Sequence, residues 1–498
     1  MMTTKQLLLK QKYNKKTAIK CGKKNISYAE LHTWCQMIGK HVGRLSSKSS
    51  NVGIVLPNSI DYAKAFFGVL FANKIVVPIN AQLKPLELMH ALRFCEIDLI
   101  LTNSSTLDHV LKATKDYPYR LKIFLVDNMN CVECNTKLSY IDKTEKVKKN
   151  IKSSDTTILL HTSGSTESSR YVMLTHRNIL YNVKANVKSL NLKSSDITLI
   201  ALPMDFAYCN TAQFLSCIYL GATMIILPNM FLPINYLSTI EREKVTNIFV
   251  VPTMLLILTR LCCTKKYNLD TLRLICIGGS KIYKSSLAEV ADQFPKSNIC
   301  ITYGLTECSP RVTTLAPNLI DKKEESIGRP ILYTKVRIEN SSNNVDGKEI
   351  GEICVKGKSV MKGYYKQPYL TQQIIRDGWL HTGDLGYIDD EGFLYLTGRI
   401  KNVIIYKGIN IYPEEIEELL IKHPNIIEAI VYGKKDAILG EIPVSKVVLN
   451  EKGKNEISEE AIKTFCSKYL ADYKVPKHIY FVDSLEKTMS GKLLRRGN

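Results

Sequence analysis

The sequence predicts an α/β protein with a large N-terminal domain of doubly wound sheets, a β-barrel-like unit after them, and a small α+β domain at the C-terminus. Short continuous apolar runs end in proline or glycine, as in Ile54-Val55-Leu56 before Pro57, Ile75-Val76-Val77 before Pro78 and Leu274 to Ile277 before Gly278. They alternate with stretches of helical length, the pattern of parallel strands covered on both faces. Past Pro310 the texture turns to glycine-punctuated alternation over Thr334 to Glu339, Gly351 to Lys356 and Gly392 to Leu396, which reads as antiparallel and barrel-like. After Gly398-Arg399-Ile400-Lys401 a compact α+β segment follows, so the domains are drawn as 1–400 and 401–498.

In chain order, Asp61 to Phe71 has helical length and one apolar face, and Leu99 to Leu101 and Ile123 to Val126 are further strands. Residues 128 to 155 are polar and lysine-rich and read as a surface excursion. Alternation resumes with Leu199 to Leu202, Met224 to Leu227, Ile248 to Val251, Leu274 to Ile277 and Ile299 to Ile301. In open α/β sheets ligands sit outside the carboxyl ends of the strands. That rule places Pro203 to Tyr208, Pro252-Thr253, Gly278-Gly279-Ser280 and Tyr303 to Glu307 on one rim. Pro413 opens a helix with Glu414 and Glu415 in its first turn, Ile416, Leu419 and Leu420 inside, and Pro424 as its stop. A second helix is predicted from Ser458, carrying Ile462, Phe465, Cys466, Tyr469 and Leu470.

Between the apolar segments Ile158-Leu159-Leu160 and Val172-Met173-Leu174 hangs the loop Thr162-Ser163-Gly164-Ser165-Thr166-Glu167-Ser168-Ser169-Arg170. Backbone N–H groups with few side chains in the way can close on phosphate oxygens, hydroxyls add donors, and Arg170 adds a forked cation. The same composition also describes a solvated Ser/Thr-rich hairpin.

The formal charge of +21 admits nucleic acid, anionic surfaces or acidic small molecules. The lysines are scattered with no basic block and no interleaved aromatics, which disfavours nucleic acid and leaves phosphate-bearing ligands or an acidic protein. The 14 cysteines mostly sit in apolar runs, the pattern of reduced thiols, and Cys131-Val-Glu-Cys134 lacks a second pair. No signal-peptide core lies in residues 1–20, and the apolar stretch 217–234 is broken by Gly221 and prolines, so a soluble, cytoplasmic chain without a membrane span is expected.

Five motifs, Thr162-Ser-Gly-Ser-Thr166, Tyr303-Gly-Leu-Thr-Glu307, His381-Thr-Gly-Asp384, Gly398-Arg-Ile-Lys401 with Lys407-Gly408, and Ser490-Gly-Lys492, follow one another in an order that resembles the adenylate-forming superfamily, most of all its stand-alone acyl-CoA synthetases. The resemblance runs from about Val52 to Lys492. It implies that ATP and a carboxylic acid give an acyl-adenylate and pyrophosphate, after which a thiol, CoA or the phosphopantetheine of a carrier protein, takes the acyl group. Two anions must meet, and each uncompensated pair of charges near 4 Å costs about 4 kcal/mol at an effective dielectric of ~20.

The resemblance assigns Glu307 and Thr166 to Mg²⁺, and Thr306 a hydroxyl near the phosphates. Tyr303, with Gly304, Gly279 and Ser280, serves the nucleotide, Tyr303 by stacking on adenine. Asp384 accepts the ribose hydroxyls and Arg399 reaches ribose or phosphate. Lys492 bridges the acyl carboxylate and α-phosphate. Lys401 marks the hinge of a mobile C-terminal domain, whose rotation exchanges Lys492 for the Lys407-Gly408 face.

The phosphate loop departs from the pattern, with Glu167, Ser169, Arg170 and Tyr171 in place of the usual glycine, proline, lysine and glycine. A weakly active or non-catalytic nucleotide-binding homologue is therefore an alternative, and an acyl-AMP ligase loading a separate carrier is another. Counting back from Gly221, the place of an α-amino-binding aspartate falls on Tyr208, and Phe206 stands where acyl-CoA ligases often have histidine. An α-amino acid is thus disfavoured, a fatty or other acyl acid is expected, and Phe206, Tyr208, Val251 and Gly279 are its candidate pocket.

Overall fold

A computed structural model describes residues 3–46, 50–115, 117, 121–134, 152–162, 170–227, 231–282, 284–345, 348–407, 409–436, 439–451, 453, 457–487 and 493. Among these residues the strands form sheets of 14, eight and five strands.

The eight-stranded sheet runs in the order Gly363–Tyr364, Arg170–Thr175, Thr156–Thr162, Ile75–Ile79, Asn51–Val55, Leu99–Thr102, Leu121–Leu125, Asn130–Cys134, and its inner neighbours are parallel. Asn130–Cys134 corrects the surface excursion read for 128–155. The chain reverses after Leu125, with Met129 at φ 60°, and pairs antiparallel on Leu121–Leu125.

In the 14-stranded sheet Thr17–Cys21, Thr223–Ile226, Ile197–Ile200, Asn247–Val250, Leu274–Ile277 and Asn298–Gly304 are parallel neighbours. The carboxyl ends of the last five therefore share a rim, as expected. Antiparallel strands continue it through Arg311–Leu315 and Ser326–Pro330 to Leu394–Arg399, Trp379–Ile388, Lys348–Gly357 and Thr334–Val345.

Two helices seal the space between the large sheets. Tyr28–Leu45 begins with a Ser27/Glu30 capping box and buries Leu31, Cys35, Ile38 and Val42 at helical spacing. It crosses Ile60–Phe71 at Gly39 and Gly68, where a Cβ on Gly68 would stand 2.4 Å from Ile38 Cγ2. Asn58 joins the rims, donating to Leu202 O (2.9 Å) and accepting from Met204 N (2.8 Å), while the Tyr62 hydroxyl donates to Met204 O (2.8 Å). One sheet's helix thus holds the other sheet's rim loop.

His176 opens the helix His176–Ser189, and its buried Nδ1 accepts from Thr4 N at 3.1 Å. Burial pushes its pKa from 6.5 down to about 4. Because the unfolded chain takes up this proton first, the contribution is complete above about pH 6.5 and is lost as pH falls toward 4, by roughly 3 kcal/mol. Urea melts across this window are expected to show a midpoint falling with pH, and a shallower fall in His176→Asn; equal slopes would remove His176 from the account.

The last sheet, Ile409–Ile411, Ile404–Tyr406, Gly440–Leu449 and Ile426–Asp436, with His478–Phe481 beside Gly440–Leu449, has its own core of Ile404, Ile416, Leu420, Val431, Val447 and Ile462. The helix expected from Ser458 is Glu459–Ser467, capped by Ser458. It ends before the expected Tyr469 and Leu470, where the N–H groups of Lys468 and Tyr469 tighten onto Phe465 O and Cys466 O three residues back, and Tyr469 is left 68% exposed. The unit rests on the larger one through Lys281 Nζ, 2.8 Å from Glu418 Oε2. Buried cysteines such as Cys35, Cys95, Cys276 and Cys300 are free thiols, and no helix among the described residues is long and apolar enough to cross a membrane.

Candidate nucleotide and acyl site

The strand Asn298–Gly304 delivers Tyr303 to the rim and then turns sharply. A Cβ on Gly304 would lie 2.2 Å from Pro310 O, so only glycine lets the two backbones pass. The turn returns as the short helix Thr306–Cys308, held from outside by Asn182, whose Nδ2 donates to Cys308 O (3.0 Å) and Arg311 O (2.8 Å).

Asp384 and Arg399 face each other across the antiparallel ladder of Trp379–Ile388 and Leu394–Arg399. Arg399 Nε lies 2.7 Å from Asp384 Oδ1, and the Tyr303 hydroxyl donates to Asp384 Oδ2 at 2.6 Å. The Asp384 side chain is 3% exposed and that of Arg399 46%, so a buried acceptor is joined to a cation that opens to solvent. Burial, then the Asp384 charge, raises the Tyr303 hydroxyl well above its ordinary pKa and keeps it a donor. Beneath them Glu352 accepts from Gly383 N (2.9 Å) and sits 2.8 Å from His381 Nδ1, fixing the bend before Asp384.

A second convergence lies at the other end of the Tyr303–Glu307 turn. Glu307 Oε1 accepts from the Tyr364 hydroxyl at 2.7 Å, and Glu307 O accepts from Met361 N at 2.8 Å. Tyr364 belongs to Gly363–Tyr364, which pairs with Met173 and Val172 of the strand leaving the phosphate loop. Arg170 Cζ stands 5.9 Å from the Tyr364 ring centre, and its buried Nε has no hydrogen-bond partner among the described residues. Burial and the neighbouring Glu307 raise the Tyr364 hydroxyl, and the Glu307 charge also acts on Arg399. The donors at Glu307 are hard oxygens and the Arg170 guanidinium beside Tyr364 is a forked cation, which fits Mg²⁺ and phosphate.

Tyr208, in the short helix Ala207–Cys209, donates to Cys276 O at 3.2 Å. A Cβ on Gly278 would meet Tyr208 Cζ at 3.0 Å and Thr302 Oγ1 at 2.7 Å, and one on Gly279, at φ +93°, would meet Val251 Cγ1 at 3.2 Å. Tyr208, Gly279 and Val251 therefore come together as one wall, with Phe206 half-buried at the start of the short helix.

Thr162 faces Arg170 across the mouth of the phosphate loop, while Ser163, Gly164, Ser165 and Thr166 lie outside the described residues, as do Gly408 and Lys492. Ser280 is exposed beside Gly279, and Lys401 is exposed in the turn Ile400–Asn402 directly after Arg399. Lys407 donates its N–H to Leu439 O (2.8 Å) and places Nζ 5.6 Å from the Tyr406 ring centre. Sequence reasoning missed Tyr364, Asn182 and Arg311. Asn178, Asn182 and Asn186 recur at i+4 on one face of His176–Ser189, and that buried amide stripe was the available signal.

The model of the AMP-binding enzyme family matches residues 9–365, and that of the AMP-binding enzyme C-terminal domain matches 415–492. The chain belongs to the AMP-binding enzyme family. It is an AMP-forming enzyme of the acid–thiol ligase class. It is similar to 4-coumarate–CoA ligase 2 of Nicotiana tabacum, 31% identical over 481 residues (94% of this chain, 87% of the relative). It is also similar to 2-succinylbenzoate–CoA ligase of Bacillus cytotoxicus, 32% identical over 481 residues (96% and 94%). Among solved structures, the O-succinylbenzoate coenzyme A synthetase of Bacillus subtilis in complex with ATP and magnesium ion superposes with a TM-score of 0.83 at 27% identity, covering 99% of this chain and 98% of that one. The mixed α/β architecture expected from the sequence is the fold of this enzyme.

Proposed function

We propose that this AMP-binding enzyme activates an aromatic carboxylic acid with ATP and transfers the acyl group to CoA. The observation that carries the reading is the meeting of Tyr303, Asp384 and Arg399 on one side of the Thr306–Cys308 turn, and of Glu307, Tyr364 and Arg170 on the other. In this reading Asp384 takes the ribose hydroxyls on its remaining lone pairs and Tyr303 flanks adenine. Arg170 and the loop Thr162 to Thr166 hold the phosphates. Glu307, steadied by Tyr364 and helped by Thr306 and Thr166, holds Mg²⁺, which when bound neutralises phosphate charge. Lys492 neutralises the carboxylate as it approaches the α-phosphorus, and the domain beginning at Lys401 swings to offer the Lys407-Gly408 face to CoA.

Two facts favour an aromatic over a fatty acid. The relatives are named for 4-coumarate and 2-succinylbenzoate, and the wall residue Tyr208 stands edge-on to Phe249 with ring centres 6.0 Å apart.

ATP–pyrophosphate exchange over aryl, fatty and short-chain acids is expected to be strongest with aryl acids, and thioester is expected with free CoA. Thioester formed only on a carrier protein would support the acyl-AMP ligase instead, and no exchange with any acid would point to a non-catalytic homologue. Lys492→Ala is expected to abolish exchange while sparing thioester formation from supplied acyl-adenylate; equal loss of both half-reactions would remove the swinging-domain account.

A further inference from the structure

Arg311 opens the strand Arg311–Leu315 immediately after the Glu307 turn, and it is 2% exposed. Its backbone N–H is held by Asn182 Oδ1 at 3.3 Å and its Nε donates to Asn186 Oδ1 at 3.1 Å. Asn186 has its amide nitrogen committed to Ala212 O and Ser216 Oγ, so its oxygen is oriented to accept from Arg311. One amide oxygen does not neutralise a cation. Nη2 is buried and has no hydrogen-bond partner among the described residues. Two other arginines show the contrast, since Arg273 holds Asp196 at 2.6 Å and Arg399 holds Asp384 at 2.7 Å. Among the described residues Arg311 holds no carboxylate.

A buried charge without a counter-charge costs several kcal/mol, and a guanidinium is fixed at such a place where a planar anion comes to meet it. The surroundings say where that anion enters. Arg311 Cζ lies 5.5 Å from the Tyr208 ring centre, and its Cα lies 3.2 Å from where a Cβ on Gly304 would be. Tyr208 in turn lies against Gly278. Tyr208 is a residue of the acyl wall, so the Arg311 guanidinium stands directly behind that wall.

We propose that Arg311 is a specificity-determining residue whose Nη2 binds a second carboxylate, carried by the acid at the end remote from the group that is adenylated. This rests on the acid-activating reading above and names the substrate class within it, an acid with two carboxylates. The reacting carboxylate goes to the phosphates, and the distal one completes Arg311. Removal of the distal charge leaves the cation buried and unpaired, so discrimination comes from the penalty as much as from the contact.

The test uses the full chain in ATP–pyrophosphate exchange with three matched aryl acids: one with a distal carboxylate, its methyl ester, and the unsubstituted parent. The wild type is expected to favour the dicarboxylate by about 100-fold in kcat/KM over the other two. Arg311→Met is expected to reverse the order, with the parent acid gaining in absolute terms, and Arg311→Lys to keep a reduced preference for the dicarboxylate. A merely structural arginine would lower all three acids alike. Equal use of the three acids by the wild type, or preference for the parent, overturns the assignment of Arg311 and leaves acid activation standing. Absence of exchange with every acid in the aryl, fatty and short-chain panel overturns acid activation itself. If Arg311→Met does not fold, the wild-type ratio and Arg311→Lys decide.

Discussion

Asp384→Ala is expected to reduce ATP–pyrophosphate exchange by two orders of magnitude or more and to raise the KM for ATP. Hydrogen bonds to a charged group contribute about 1.5–3 kcal/mol each, and the proposed pair to the ribose hydroxyls would be lost together. The cost extends beyond the ligand. The carboxylate now accepts from Tyr303 at 2.6 Å and pairs with Arg399 at 2.7 Å, and its deletion leaves a buried hydroxyl and a guanidinium without their acceptor. Removing one partner of such a pair costs about 3–5 kcal/mol where both are buried, and less here because Arg399 is half in solvent. Thermal melting separates the two contributions. A modest loss of stability with collapsed exchange supports a ribose anchor, whereas exchange within tenfold of wild type at saturating ATP would reduce Asp384 to a brace between Tyr303 and Arg399.

The site was legible in the sequence to the extent that its residues punctuate strands. Tyr303 and Gly279 follow apolar runs whose ends must share a rim in a parallel sheet, and the observed registers Ile277↔Ile301 and Val250↔Ile277 realise that geometry. Asp384 and Arg399 are different, since their pairing is an antiparallel register that no single segment encodes. Only the resemblance brought them to the same place. Tyr364 and Arg311 escaped for a related reason. Tyr364 reads as one more aromatic in a Lys-Gly-Tyr-Tyr-Lys run, and what gives it meaning is a two-residue pairing with the strand at Val172, nearly two hundred positions earlier. Arg311 reads as a strand-end cation, and the lack of a counter-charge becomes visible only when its neighbours are assembled. Asn130–Cys134 was missed because the polar, lysine-rich stretch that follows it conceals a short edge strand, which needs one apolar face at most.

Glu307→Gln is expected to lower exchange by about 10²–10³-fold and to move the magnesium requirement to higher concentration. The substitution isolates charge from shape. Glutamine keeps an oxygen for the Tyr364 hydroxyl, so the 2.7 Å bond and the backbone bond from Met361 N to residue 307 can persist, and the fold around Thr306–Cys308 is retained. What disappears is the negative oxygen that a hard divalent cation requires. Tyr364→Phe provides the graded comparison. It leaves the carboxylate in place but frees its orientation, and loss of such a supporting hydrogen bond weakens metal affinity by about 10–100-fold. The pair should therefore fall in order, with Tyr364→Phe rescued by added magnesium and Glu307→Gln rescued far less. An unchanged magnesium requirement in both variants would place the ion elsewhere and leave Glu307 with a purely structural bond to Tyr364.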